Sequence, residues 1–77
     1  MPHVIVKLYP GRSEADKARL AEALARTVQE VLGSREASLS VAIEDVAPED
    51  WAEQVYRPEI LEKPGQVYKK PGYDPFA

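Results

Sequence analysis

An α/β (α+β) fold of the βαβ kind is predicted by three features of this 77-residue chain. A β-branched run, Val4-Ile5-Val6, lies close to the amino terminus; a long amphipathic stretch follows it; and an alternating apolar segment comes next. Strand, helix and strand in that order give two parallel strands joined by a right-handed crossover.

The first strand is read over Met1-Pro2-His3-Val4-Ile5-Val6-Lys7-Leu8-Tyr9. Proline has no N–H for a sheet, and the first position of a strand is one of the few that accept it. Pro2 has a second reading. Methionine aminopeptidases remove Met1 when the next residue is as small as proline, which leaves a secondary amine at the head of a rigid strand. A neighbouring cation or an apolar pocket disfavours the protonated form of such an amine. Pro10-Gly11 then marks a turn.

The helix starts at Ser13, an N-cap with Asp16 three residues on in a variant capping box. Leu20, Leu24, Val28 and Val31 step along one face, widened by Ala21, Ala25 and Leu32. Arg19, Glu22, Arg26 and Glu30 lie opposite as a solvated face, and Gly33 is placed to end the helix in a left-handed turn.

The second strand is expected over Ser38 to Val46, where Leu39, Val41 and Ile43 alternate with Ser40, Ala42 and Glu44. A short second helix opens at Pro48-Glu49-Asp50-Trp51 and runs to about Tyr56; Pro58 is expected to interrupt it, with room for one more turn over Glu59 to Glu62 before Pro64-Gly65 breaks the chain. The tail, Tyr68 to Ala77, is rich in proline and aromatic residues; it reads as irregular or extended, with its rings docked somewhere. The whole chain, 1–77, is read as a single domain.

Composition narrows the chemistry. Cysteine is absent, which excludes disulfides, thiolate catalysis and cysteine-based metal sites. A single histidine, His3, argues against a structural zinc site. The net charge of −3 comes from interspersed residues, without the basic footprint of a nucleic-acid binder. No apolar run reaches the length of a membrane span and no signal-peptide pattern is present, so a cytoplasmic protein is expected. A domain this small, without staples, gains stability by assembling with copies of itself.

The initiator Met1 before Pro2, the β-branched strand, Gly11-Arg12-Ser13, the amphipathic helix and the second strand together resemble the 4-oxalocrotonate tautomerase superfamily over residues 2 to 51. Pro48-Glu49-Asp50-Trp51 and Lys69-Lys70-Pro71-Gly72-Tyr73 resemble its short PptA-type branch, associated with the enols of phenylpyruvate and its 4-hydroxyphenyl analogue. The resemblance implies βαβ protomers whose sheet is completed by dimerisation, a homodimer being favoured over a hexamer by the extra C-terminal segment. It also implies a cofactor-free tautomerase acting on a small-molecule 2-keto acid, with neither nucleic acid nor membrane as partner.

By that resemblance Pro2 is the catalytic base and acid. Arg12 grips the substrate carboxylate, as a guanidinium does bidentately, and Trp51 lines the pocket against an aryl group. Ser40 departs from the pattern. Diacid-processing members carry a second arginine there, so a serine implies a substrate with one carboxylate and leaves a hydroxyl for a hydrogen bond. His3 reads as structural, on the strand face opposite Pro2, and Lys69 and Lys70 as solvated. Tyr56, Tyr68, Tyr73 and Phe76 are candidates for an apolar wall whose order the sequence leaves open. Two further functions stand beside this one: a hydratase or dehalogenase of the same superfamily, and a non-catalytic, oligomeric metabolite-binding module.

Overall fold

The computed structural model describes residues 1–77. Met1–Asp45 form one compact unit and Val46–Ala77 a second.

In the first unit, β1 (His3–Leu8) and β2 (Ser40–Asp45) pair in parallel, with His3 opposite Ser40 and Leu8 opposite Asp45. Between them runs α1 (Glu14–Leu32). The order is βαβ, as the hydrophobic pattern predicts. Successive side chains alternate between the faces of a strand, so Val4, Val6 and Leu8 share a face with Val41, Ile43 and Asp45. That is the face α1 covers, because Lys17 of α1 reaches Asp45 at 3.0 Å. His3, Ile5 and Lys7 share the opposite face with Ser40, Ala42 and Glu44.

Ser13 caps α1 as expected: its side chain accepts from the Asp16 N–H at 3.1 Å. The Asp16 carboxylate itself is engaged by Arg19. At the other end Gly33 takes φ 68° and ψ 22°, a left-handed conformation that costs glycine little, and its N–H bonds to the Gln29 carbonyl at 2.9 Å.

The apolar stripe of α1 is only partly covered. Leu24 and Val28 are half-buried, whereas Val31 and Leu32 are 74 % and 66 % exposed. Length explains this. A helix of 19 residues is about 28 Å long, against roughly 20 Å for a strand of 6 residues. The end of the stripe overhangs the sheet.

β2 is shorter than the segment Ser38 to Val46 expected of it, because Glu36–Ser38 form a 3₁₀ turn that leads into the strand. The sheet has only two strands, so each keeps one unpaired edge.

In the second unit, α2 (Pro48–Trp51) starts with proline in its first turn, where no N–H is required. The chain does not break at Pro58. It continues in wide π turns over Ala52–Leu61. Within an α-helix the proline ring would press on the carbonyl one turn back; a π turn is wider, and the Glu62 N–H closes one onto the Arg57 carbonyl at 3.0 Å. This segment carries the buried residues, Val55 and Tyr56. A 3₁₀ turn at Pro64–Gln66 follows, and the remainder is irregular, as expected.

Candidate active site

Pro2 precedes β1 and is half-buried. Its carbonyl accepts the Ser40 backbone N–H at 3.2 Å, which extends the parallel ladder by one bond and fixes the residue against the start of β2. Met1 stands wholly exposed beyond it.

The Ser40 side chain turns to the face that α1 leaves uncovered, where its Oγ lies 2.6 Å from His3 Nδ1. Strand alternation therefore does place His3 away from the Val4 face, and the register adds what the sequence does not show: a partner for it. Lys7 and Glu44 pair further along the same face at 4.0 Å.

Arg12 sits at the other end of the strands. Gly11, at φ 120°, makes the turn after β1 in a conformation that L side chains rarely adopt. Arg12 follows, just ahead of the Ser13 cap of α1. It is exposed, and it lines an open cavity of about 540 Å³ with Leu8, Asp16, Lys17, Arg19 and Leu20. The other cations of this cavity are committed. Arg19 pairs with Asp16, and Lys17 with Asp45 and, at 3.7 Å, Glu14. The hydrogen bond to Asp45 pushes the Lys17 ammonium above the usual lysine value, against the opposing effect of desolvation. Leu8 and Leu20 give the cavity its apolar part.

Pro2 and Ser40 thus mark the amino-terminal ends of the parallel strands, and Arg12 their carboxy-terminal ends. A strand of this length separates them by roughly 20 Å. One copy of the chain does not bring the amine position and the guanidinium to a common point.

Trp51 closes α2 and is half-buried. Its Nε1 donates to the Tyr73 hydroxyl at 2.9 Å. The Tyr73 ring stacks at a tilt on buried Tyr56, with centroids 5.6 Å apart. Phe76 meets Tyr56 edge-on at 5.7 Å, and the Arg57 guanidinium lies 4.4 Å above the Phe76 ring. Arg57 is held in turn by both Glu53 carboxylate oxygens, at 2.9 and 3.1 Å. That bond holds the Glu53 carboxyl below the usual glutamate value. Burial, then the nearby Asp74 and Tyr73, pushes the Tyr56 phenol up.

Three of the four candidate aromatics therefore come together, and Tyr68, 99 % exposed, does not. Lys70 lines a separate cavity of about 220 Å³ that includes Tyr56, Ile60 and Pro71. Sequence reasoning missed the Trp51–Tyr73 and Arg57–Phe76 contacts. The density of aromatic residues in the tail was the only signal for them.

The parallel βαβ unit is shared with solved tautomerase structures. The family described as tautomerase enzyme matches residues 2–59, and the chain belongs to it. It is 47 % identical over 77 residues to a probable tautomerase of Xylella fastidiosa (strain 9a5c), spanning 100 % of this chain and 94 % of that protein. It is also 39 % identical over 75 residues to tautomerase PptA of Cronobacter sakazakii (strain ATCC BAA-894), covering 96 % and 99 % of the two chains. Among solved structures it resembles TomN, a 4-oxalocrotonate tautomerase homologue of the tomaymycin biosynthetic pathway. That likeness has a TM-score of 0.63 at 38 % identity, over 65 % of this chain and 77 % of the other. The chain is thus an isomerase of the 4-oxalocrotonate tautomerase superfamily, similar to its PptA members. No helix is long and apolar enough to cross a membrane.

Proposed function

We propose that the chain is a cofactor-free keto–enol tautomerase of a 2-keto acid, with an arylpyruvate such as phenylpyruvate as substrate. Pro2, freed by removal of Met1, is its general base and acid. The observation that carries this reading is the attachment of Pro2: its carbonyl is tied to the Ser40 N–H at 3.2 Å while Met1 is wholly exposed. Removal of Met1 then needs no unfolding, and the resulting amine has a fixed direction because its ring restrains the backbone.

The chemistry balances without a co-reactant. The neutral Pro2 amine takes the enol hydroxyl proton as the C2–O bond becomes a carbonyl. The same amine, now protonated, delivers a proton to C3, where the new C–H bond forms. An amine that is neutral near neutral pH performs both halves. A cation close to it, or a dry surrounding, keeps it so.

Arg12 binds the substrate carboxylate in a two-pronged contact. Arg19 and Lys17 beside it are already engaged by carboxylates of the chain itself, which leaves Arg12 to meet the substrate. Ser40 offers a hydroxyl and no charge, which suits a substrate with one carboxylate. Trp51 supplies the aromatic surface for an aryl group.

A homodimer completes the site. Antiparallel pairing of the open β1 edge with that of a second copy sets the Pro2 end of each chain against the Arg12 end of the other. Exposed Val31 and Leu32 supply apolar surface for an interface, and burying it removes the cost of leaving it in water. On the sheet face that α1 leaves open, the His3–Ser40 and Lys7–Glu44 pairs flank Ile5 and Ala42 with polar groups, which favours stopping at the dimer. We place this one-domain enzyme, 1–77, in the cytoplasm.

The test is a direct assay of the phenylpyruvate enol. Purified protein lacking Met1 accelerates the loss of enol absorbance well above the buffer rate. A rate equal to buffer, in protein of verified mass and fold, contradicts the reading.

A further inference from the structure

Trp51 is held from the tail. Its indole N–H is directed to the Tyr73 hydroxyl at 2.9 Å. Tyr73 is itself anchored, because its ring packs on Tyr56, which is 8 % exposed and one of the fixed points of the second unit. The tail beyond it is secured twice more. The Asp74 carboxylate accepts the Phe76 N–H at 2.8 Å and bends the chain back. Phe76 then contacts both the Tyr56 ring and the Arg57 guanidinium.

An indole swings about two torsions, and a ring face serves an aromatic ligand only while it is held in one orientation. Freezing it in advance reduces what binding must otherwise spend on ordering the side chain. The tail does this through a polar contact at the edge of the ring, leaving the indole half-buried. Tyrosine suits this position because its ring stacks on Tyr56 while its hydroxyl accepts from the indole.

We propose that Tyr73 is a positioning residue, which sets the Trp51 indole for the aryl group of the substrate and so makes the C-terminal tail a determinant of substrate choice. This rests on the arylpyruvate reading above. It assigns Tyr73 no part in proton transfer.

Tyr73→Phe tests it, because the stacking ring stays and only the acceptor is lost. One neutral hydrogen bond corresponds to about a fivefold change in affinity. The KM for the phenylpyruvate enol rises by about that factor at nearly constant kcat, the pattern of lost uniform binding. The KM for the enol of pyruvate, which has no ring, stays within about twofold. Trp51 is the only tryptophan, so indole fluorescence reports on this side chain alone, and its emission shifts in the variant. An unchanged KM for the phenylpyruvate enol overturns the proposal, whether or not the emission moves. An equal rise for both enols does the same, since it marks a general structural role.

Quenching of Trp51 by phenylpyruvate separates this inference from the reading it rests on. If the wild type binds without accelerating the enol, the catalytic reading fails; a fivefold weaker Kd in Tyr73→Phe, about the effect of one neutral hydrogen bond, then still supports the positioning role. Equal Kd values, or no quenching in either protein, overturn it.

Discussion

Ser40 gives its backbone N–H to the Pro2 carbonyl at 3.2 Å, so the first residue of β2 anchors the residue proposed to carry the chemistry. The side chain of Ser40 is engaged elsewhere, 2.6 Å from His3 Nδ1. Backbone and hydroxyl are separable by mutation. Ser40→Ala keeps the anchor and removes the hydroxyl. It lowers kcat/KM for the phenylpyruvate enol by about fivefold, the effect of one neutral hydrogen bond. Amide exchange at position 40 stays slow, as hydrogen exchange by NMR will show.

Arg12→Ala separates binding from folding. Arg12 is exposed and precedes the helix cap, so its loss leaves the melting temperature nearly unchanged. The charge-assisted contact to the substrate carboxylate is lost, which raises KM by about tenfold or more. Steady-state kinetics alongside a thermal melt check both halves; a variant with unaltered KM removes Arg12 from the site.

The Glu53–Arg57 pair gives the second unit an acid dependence. The hydrogen bond from Arg57 lowers the folded Glu53 carboxyl below its ordinary value. Its contribution to stability is therefore complete above the unfolded value, about 4.3, and fades as the pH falls through the lower folded value. Glu53→Gln is less stable than the wild type at pH 7, and the difference starts to shrink near the unfolded value of about 4.3 and is gone only below the lower folded value. Melts at several pH values measure this.

The first unit was largely legible in the sequence because its elements are local patterns. Val4-Ile5-Val6, the stepping leucines of α1 and the alternation around Val41 each carry the period of their own backbone. Gly33 follows the same logic, since only the local chain decides its left-handed turn. Pro58 misled because the rule that proline ends a helix assumes α geometry, and the chain here takes wider turns. Exposure of Val31 and Leu32 was hidden as well: periodicity tells which side of a helix is apolar, not how far the neighbouring sheet reaches.

Pro2, Arg12 and Trp51, the residues proposed to form the site, were singled out from residue type, order and family likeness. Their surroundings could not be read in this way. The His3–Ser40 bond spans 37 positions and depends on strand register; the Trp51–Tyr73 bond spans 22 and depends on where an irregular tail comes to rest. Neither leaves a periodic trace.

The central claim is that Pro2 acts through a free amine. It is tested by following phenylpyruvate enol decay with protein whose intact mass shows Met1 removed, comparing wild type with Pro2→Ala of equally verified mass. Rapid decay is expected with the wild type and a loss of at least about a hundredfold in kcat with the variant, the scale of general acid–base catalysis. Equal rates in the two proteins would contradict it.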